Sequence, residues 1–177
     1  MKKIYIGGSL FTEKEIKQRM HEEVLLDGVL ENVKIYNPIT NDDINDKTLD
    51  PTAKDIFNQD TKEILSSNII LADLDDNDIG LAMELGIAYG CNYLRDKLIG
   101  CLVSDDISNA LEELIQSVPE KRVYATCSDI RQQTNNEKGI YKSWGINQFL
   151  IGGVEQMGYI NSSLSKTIHK LIECEGE

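Results

Sequence analysis

Short apolar runs alternate with helical patterns along this chain, and that alternation limits its fold more than any other feature. Strand-like runs occupy residues 2–7, 33–36, 69–72, 98–103 and 122–126. Helical patterns begin near residues 12, 51, 79 and 107, and two more cover 146–157 and 163–174. Strands that alternate with helices form a parallel sheet covered on both faces. With 177 residues, the chain has the length of a single domain, which we predict over residues 1–177.

Two loops are expected to meet at one edge of this sheet. Five strands of this kind favour a doubly wound, flavodoxin-like α/β arrangement, in which ligands bind outside the carboxyl ends of the strands. Gly7, Gly8 and Ser9 follow the first strand, and an acidic segment follows Ala72. We therefore predict that a ligand site forms between these two loops.

The composition excludes several classes of partner. The chain has 18 Lys and Arg against 30 Asp and Glu, a net charge of −12. Such a surface repels nucleic-acid backbones and anionic membranes, so neither is an expected partner. No apolar run approaches the ~20 residues that span a bilayer.

The cysteines and the first residues indicate the compartment. None of the four cysteines forms a CxxC pair, so no metal site is expected. Residues 1–6 carry two lysines but no long apolar stretch, and we expect no secretion signal. The prediction is a cytoplasmic protein with reduced thiols.

The acidic segment after Ala72 allows three interpretations. Asp73, Asp75, Asn77 and Glu84 have the spacing of EF-hand calcium ligands, but Asp78 stands where that loop needs glycine. Acidic residues ahead of a helix also favour its positive end and keep a loop solvated, which is the simplest explanation of residues 75–76. The third interpretation is an active site built from carboxylates.

Glu84 favours the third interpretation. It lies in an almost wholly apolar helix, where a surface charge is not expected. A buried carboxylate needs partners or a chemical purpose. The nearby small residues, Gly80 among them, allow a ligand or another backbone to approach closely.

Four segments of the sequence resemble the nucleoside 2-deoxyribosyltransferase family. Residues 78–88, DIGLAMELGIA, resemble the family signature D-x-G-x-x-x-E-x-G-x-A after an apolar strand. Residues 3–8, KIYIGG, are similar to the first strand and its tyrosine. Residues 57–60, FNQD, resemble a helix with a further acidic residue, and residues 147–149, NQF, resemble a late N-x-M/F element. The chain departs from the family in about forty extra residues, 104–146.

The resemblance implies a double displacement that exchanges the base of a 2-deoxyribonucleoside. Glu84 would be the nucleophile, and Tyr5 would donate a hydrogen bond to it. Asp60 would be the general acid and base, with Asp78 as the second candidate or as a ligand of the sugar. A core tyrosine of a buried strand is the alternative for Tyr5.

The same resemblance implies further substrate contacts and the partners. Gly7, Gly8, Ser9 and Gly80 would line the substrate. Asn147 would bind a sugar hydroxyl across a subunit interface, and an N-cap of the next helix is the alternative. A homo-oligomer with a shared active site is expected, with a 2-deoxynucleoside and a free nucleobase as ligands. No cofactor and no metal are implied.

Three other functions compete with the transferase. A hydrolase of the same fold would use water in place of the acceptor base, on a deoxynucleoside or a deoxynucleoside 5-phosphate. The latter needs a phosphate cradle, yet in sequence no cation closer than Lys14 follows residues 7–9. A non-enzymatic nucleoside sensor would keep the pocket without covalent chemistry. A phosphoacceptor domain needs acidic residues at the end of the first strand, and residues 7–9 have none.

Overall fold

A computed structural model describes residues 1–42, 51–75, 77–128 and 146–175. Within these ranges the strands are β1 (Lys2–Gly7), β2 (Val33–Tyr36), β3 (Ile69–Ala72), β4 (Val123–Thr126) and β5 (Gly158–Asn161). The helices are α1 (Glu13–Val29), α2 (Ala53–Ser66), α3 (Ile79–Leu102), α4 (Ile107–Ser117), α5 (Gln148–Met157) and α6 (Leu164–Glu175), and a short 3₁₀ turn covers Pro38–Thr40.

The strands form two parallel sheets instead of the single sheet of about five that the sequence predicts. One sheet has the order β2-β1-β3, and the other pairs β4 with β5. The prediction of a mixed α/β fold with parallel strands is confirmed, and it is consistent with a flavodoxin-like arrangement. The prediction of one continuous five-stranded sheet is wrong for the described residues.

The predicted strand over residues 98–103 is wrong. These residues belong to α3, which runs without interruption to Leu102. No proline interrupts this stretch, and an apolar run alone does not distinguish a buried strand from a buried helix. The buried Cys101 donates its thiol hydrogen to the carbonyl of Ala110 at 3.4 Å, so packing against α4 favours the helix.

Strand β5 was not predicted, because residues 158–161 lie between two predicted helices. Its pairing with β4 brings Gly158 so close to Val123 that a Cβ at position 158 would overlap the Val123 backbone. The two predicted helices themselves are present as α5 and α6. The loop predicted between β4 and α5 lies largely in residues 129–145, outside the described residues.

Strand β1 is the centre of the first sheet and is covered on both faces. Ile4, Tyr5 and Ile6 are buried. In register, Tyr5 lies beside Tyr36 of β2 and Ile70 of β3, and Gly7 lies beside Ala72. The carboxyl ends of β1 and β3 therefore reach the same edge of the sheet, and the Asp73 amide donates to the Gly7 carbonyl at 3.1 Å. The prediction that the two loops meet there is confirmed.

Helix α1 begins at a capping box and buries an unexpected side chain. Thr12 and Glu15 bond reciprocally to the first turn. Met20 and Val24 are 51% and 68% exposed, whereas Arg19 is 1% exposed. Arg19 can be buried where α1 meets the sheet, because Glu22 and Asp73 pair with it there.

Helix α5 packs closely on α2 through two glycines. A Cβ at Gly152 would overlap the carbonyl of Ala53, and one at Gly153 would overlap Met83 and Phe57. The rings of Phe57 and Phe149 lie 4.9 Å apart between the helices. This contact ties the late part of the chain to the helix that carries Asp60.

None of the helices in the described ranges combines the length and apolar character that crossing a bilayer requires.

The contact at Gly152 gives a test of this packing. Gly152→Val forces the backbones of α5 and α2 apart, and we expect it to lower the free energy of unfolding by at least about 2 kcal/mol. Gly90→Ala is the matched control, because nothing lies within 4 Å of a Cβ at Gly90 in α3. Ala there should stabilise the protein by up to about 1 kcal/mol. Urea unfolding measures both, and equal midpoints for the two variants would contradict the packing described.

Candidate active site

Glu84 is held in place by Tyr5 at the end of the sheet. Glu84 is 9% exposed on α3, and the Tyr5 hydroxyl donates to its Oε1 at 2.8 Å. Its other oxygen, Oε2, is buried and has no hydrogen-bond partner among the described residues. One carboxylate oxygen is thus fixed by a donor, and the other keeps its lone pairs available.

Gly7 leaves the space that Oε2 occupies. A Cβ at position 7 would lie 3.1 Å from Oε2 and 2.9 Å from Cδ1 of Leu81. Any larger residue would push against the carboxylate and helix α3. This close approach favours glycine at position 7.

A second carboxylate, Asp60, has its own tyrosine. Asp60 is 5% exposed on α2, and the Tyr36 hydroxyl donates to its Oδ1 at 2.8 Å. Asn41 donates to the Tyr36 oxygen at 2.9 Å. The rings of Tyr5 and Tyr36 stack with centroids 5.6 Å apart, so the two tyrosine–carboxylate pairs lie side by side.

Burial raises the pKa of both carboxyl groups. The pKa of Glu84 rises to about 8, because burial outweighs the hydrogen bond from Tyr5 and the charges of Asp60 and Asp78 add to it. The pKa of Asp60 rises to about 6, again through burial, with Tyr36 lowering it and the charge of Glu63 raising it. Between about pH 6 and pH 8 the pair therefore holds one proton.

Asp78 and Asn147 form a third part of the site. Asp78 caps α3, and its Oδ1 accepts from the Gly80 amide at 2.8 Å and from Nδ2 of Asn147 at 3.0 Å. Asn147 also caps α5 through the Leu150 amide. The resemblance implied an asparagine from a neighbouring subunit, whereas here Asn147 reaches Asp78 of its own chain.

The remaining predicted glycines and Ser9 have packing roles. The Asn147 amide fills the space above Gly80, and the Arg19 guanidinium fills the space beside Gly8. Ser9 is buried, and a hydrogen bond from its side chain helps to lower the pKa of Glu15. Direct contacts of Gly8, Ser9 and Gly80 with a substrate stay predictions.

The sequence reasoning missed Arg19. Its guanidinium bonds Asp73 at 2.5 Å, Glu22 at 2.7 Å and the Gly7 carbonyl at 3.3 Å. A cation therefore does stand beside residues 7–9, contrary to the expectation from sequence distance. Two carboxylates neutralise it, and Asp73 is engaged with Arg19 rather than placed as a calcium ligand.

Tyr36 and Asn41 were also missed. A signal was present, because residues 34–36 repeat the letters KIY of residues 3–5, and the two triplets pair in register. Among the described residues, no group of three His, Cys, Asp or Glu side chains is placed to hold a metal ion.

The fold and this geometry define an α/β protein with paired buried carboxylates at the carboxyl edge of a parallel sheet. The family model "Nucleoside 2-deoxyribosyltransferase" matches residues 4–142 of the 177. The chain therefore belongs to the nucleoside 2-deoxyribosyltransferase family, and the resemblance stated from its motifs is confirmed. Tyr5, Asp60, Asp78 and Glu84 lie within the match, and Asn147 lies beyond it.

The chain is similar to a solved structure described as a conserved protein from Enterococcus faecalis V583, at 23% identity and a TM-score of 0.49, covering 98% of this chain and 99% of that one. No curated protein matches the sequence. The family supports an enzyme of the glycosyl-transferring kind, with small nucleosides and nucleobases as substrates.

The raised pKa of Glu84 makes stability depend on pH. An unfolded glutamate ionises near 4.5, whereas folded Glu84 keeps its proton up to about 8, so its burial disfavours folding increasingly as pH rises between those values. Glu84→Gln removes this charge and can still accept from Tyr5. We expect the variant to be more stable than the wild type by a few kcal/mol at pH 8, with the difference vanishing near pH 4.

Urea unfolding at both pH values measures this difference. Asp55→Asn is the control, and its effect on stability should have the opposite sign, because hydrogen bonds from Thr52 lower the pKa of Asp55. Its wild-type carboxylate should favour folding at neutral pH, and less so at pH 4. A Glu84→Gln variant less stable than wild type at pH 8 would mean that Glu84 is buried as a paired, stabilising charge.

Proposed function

We propose that this protein transfers 2-deoxyribose between nucleobases by double displacement, with Glu84 as the nucleophile. The observation that carries the proposal is the asymmetry of the Glu84 carboxylate, in which Tyr5 holds Oε1 while the buried Oε2 has no hydrogen-bond partner among the described residues. A fixed carboxylate with one available oxygen suits attack on an anomeric carbon. The family to which the chain belongs supports the same reaction class.

In the first step, Oε2 of Glu84 forms a bond to the anomeric carbon while the bond from that carbon to the base nitrogen breaks. The electron pair of the broken bond goes to the base, and a proton from Asp60 goes with it. The transition state has oxocarbenium character, which the adjacent carboxylate stabilises. A second base then attacks the glycosyl ester, gives its proton to Asp60 and releases Glu84, with overall retention of configuration.

The reaction requires Glu84 ionised and Asp60 protonated at the same time. The two pKa values, about 8 and about 6, favour the opposite distribution by about a hundredfold in the free protein. Positive charge that develops on the sugar in the transition state favours the ionised form of Glu84, so the reactive distribution of the proton is stabilised there.

Asp78 and Asn147 are proposed to hold the sugar. The amide of Asn147 is fixed by its bonds to Asp78 and to the start of α5, so its position is set before substrate binds. Arg19 does not provide a phosphate cradle, because Asp73 and Glu22 neutralise it. This favours a neutral nucleoside over a nucleoside 5-phosphate.

A homo-oligomer and a cytoplasmic location stay predictions. Exposed apolar side chains along the second half of α3 support a second copy as the partner of this helix: Tyr89, Tyr93, Leu94, Leu98, Ile99 and Leu102. A shared active site would also need side chains from that second copy, in addition to the contacts described within one chain.

An assay with two bases tests the transferase directly. The protein is incubated with 2-deoxyinosine, with and without free adenine, and the products are separated by chromatography; thymidine is run in parallel as a pyrimidine donor. We expect 2-deoxyadenosine from the wild type and a loss of at least about a thousandfold in Glu84→Gln, because the nucleophile is gone. Tyr159→Phe, a partly exposed tyrosine on β5, is the control and should keep wild-type activity.

The other outcomes separate the alternatives. Hypoxanthine released at the same rate without adenine would identify a hydrolase. Turnover of 2-deoxyinosine 5-phosphate in place of the nucleosides would identify the nucleotide branch. No turnover of any donor would contradict an enzymatic function and favour a sensor.

The paired carboxyl groups also predict a bell-shaped pH dependence of kcat/KM. Below about pH 6 both groups are protonated and Glu84 is not a nucleophile; above about pH 8 both are ionised and no proton remains for the leaving base. The rate should therefore rise near pH 6 and fall near pH 8. Initial rates over pH 5 to 9 test this, with aliquots returned to pH 7 to exclude loss of protein, and a rate still rising above pH 9 would contradict it.

A further inference from the structure

The hydrogen bonds from Asn41 to Tyr36 and from Tyr36 to Asp60 run in a single direction. The side-chain nitrogen of Asn41, Nδ2, can only donate, so the Tyr36 oxygen accepts from it at 2.9 Å. The Tyr36 hydroxyl proton is then directed to Oδ1 of Asp60 at 2.8 Å. Reversing this order would require the Asn41 amide to turn over and present its oxygen to the Tyr36 hydroxyl.

This order decides which oxygen of Asp60 carries its proton. Oδ1 already accepts a hydrogen bond, and a protonated Oδ1 would be a weaker acceptor for the Tyr36 hydroxyl. Oδ2 accepts no hydrogen bond from the described part of the chain. The proton of the neutral acid therefore resides on Oδ2.

We propose that Tyr36, oriented by Asn41, is a positioning residue that fixes the Asp60 carboxyl and directs its transferable proton to Oδ2, from which the departing base receives it. The inference rests on the proposed function, since it gives Tyr36 a part in the transfer of that proton. Tyr36 itself acts only through Asp60 and contacts no reacting atom. Its ring stacks on Tyr5, so the same residue also aligns the two tyrosine–carboxylate pairs.

The charges around Asp60 show what Tyr36 contributes. Burial and the charge of Glu63 raise the pKa of Asp60, and the hydrogen bond from Tyr36 lowers it. Lys3 pairs with Glu63 and lies over the Tyr36 ring at 5.9 Å. On the other side, Tyr5 and Glu84 belong to the adjacent pair. Tyr36 is the neighbouring hydroxyl that stabilises ionised Asp60, so it keeps this carboxyl acidic enough to protonate a base.

The test compares two donors that differ in their need for a proton. The base of 2-deoxyinosine needs protonation to leave, whereas the 7-methylated derivative carries a cationic purine that leaves neutral without it. For Tyr36→Phe we expect kcat with 2-deoxyinosine to fall about tenfold or more, with KM little changed and with the 7-methyl donor nearly unaffected. Asn41→Ala should show the same selectivity with a smaller loss, because the Tyr36 hydroxyl is then free to rotate.

A second readout follows the proton directly and needs no turnover. The measurement is ¹³C-carboxyl NMR on the Glu84→Gln variant, in which the pKa of Asp60 is free from coupling to Glu84. The Asp60→Asn variant assigns the Asp60 signal. Adding Tyr36→Phe should raise this pKa by about 1, because a hydrogen bond to the ionised form is lost. Tyr159→Phe in the same background should leave it unchanged.

The outcomes distinguish the inference from the proposed function. Equal losses for both donors, or an unchanged pKa of Asp60, would overturn the role of Tyr36 while the transferase stands. No turnover of either donor by the wild type would overturn the proposed function, and the pKa measurement would still decide whether Tyr36 controls Asp60.

Discussion

The hydrogen bond from Tyr5 to Glu84 is the interaction on which the rest of the site depends. It joins the central strand β1 to helix α3 and supplies the one donor that the buried carboxylate has among the described residues. Gly7 is favoured by it, because a Cβ at position 7 would lie only 3.1 Å from Oε2 of the carboxylate. The position of Glu84 is therefore set by the strand register as much as by its own helix.

The same register places a second carboxylate beside the first. Tyr5 and Tyr36 are partners across β1 and β2, and each tyrosine binds a carboxylate from a different helix. Two buried carboxyl groups this close cannot both ionise without cost, and no cation in the described part of this chain of net charge −12 forms an ion pair with either. The pair lowers stability at neutral pH and holds one proton, which the proposed two-step glycosyl transfer requires.

The residues that sequence reasoning identified were those that follow from a simple rule. In a parallel sheet the carboxyl ends of neighbouring strands meet, so the order of the elements alone brings Gly7 and the segment leading to Glu84 together. The helix that begins near residue 79 followed from its apolar pattern, and the structure adds that Asp78 caps it. The resemblance then added roles for Tyr5 and Asp60.

What the sequence did not predict depends on contacts between distant segments. Residues 98–103 read equally well as strand or helix, and the contact of Cys101 with Ala110 favours the helix. Arg19 would be placed on the surface by any local rule, but Asp73, 54 residues later, neutralises it in the interior. Tyr36 becomes significant only through its register with Tyr5 and its bond to a helix residue 24 positions away.

The central claim is that Glu84 becomes covalently attached to 2-deoxyribose, and peptide mass mapping tests it most directly. The protein is mixed with 2-deoxyinosine in the absence of an acceptor base, quenched in acid and digested. The account predicts a 2-deoxyribosyl adduct on the peptide that contains Glu84, lost when adenine is added and absent from Glu84→Gln. Turnover of the nucleoside with no adduct, or with an adduct on another residue, would contradict it.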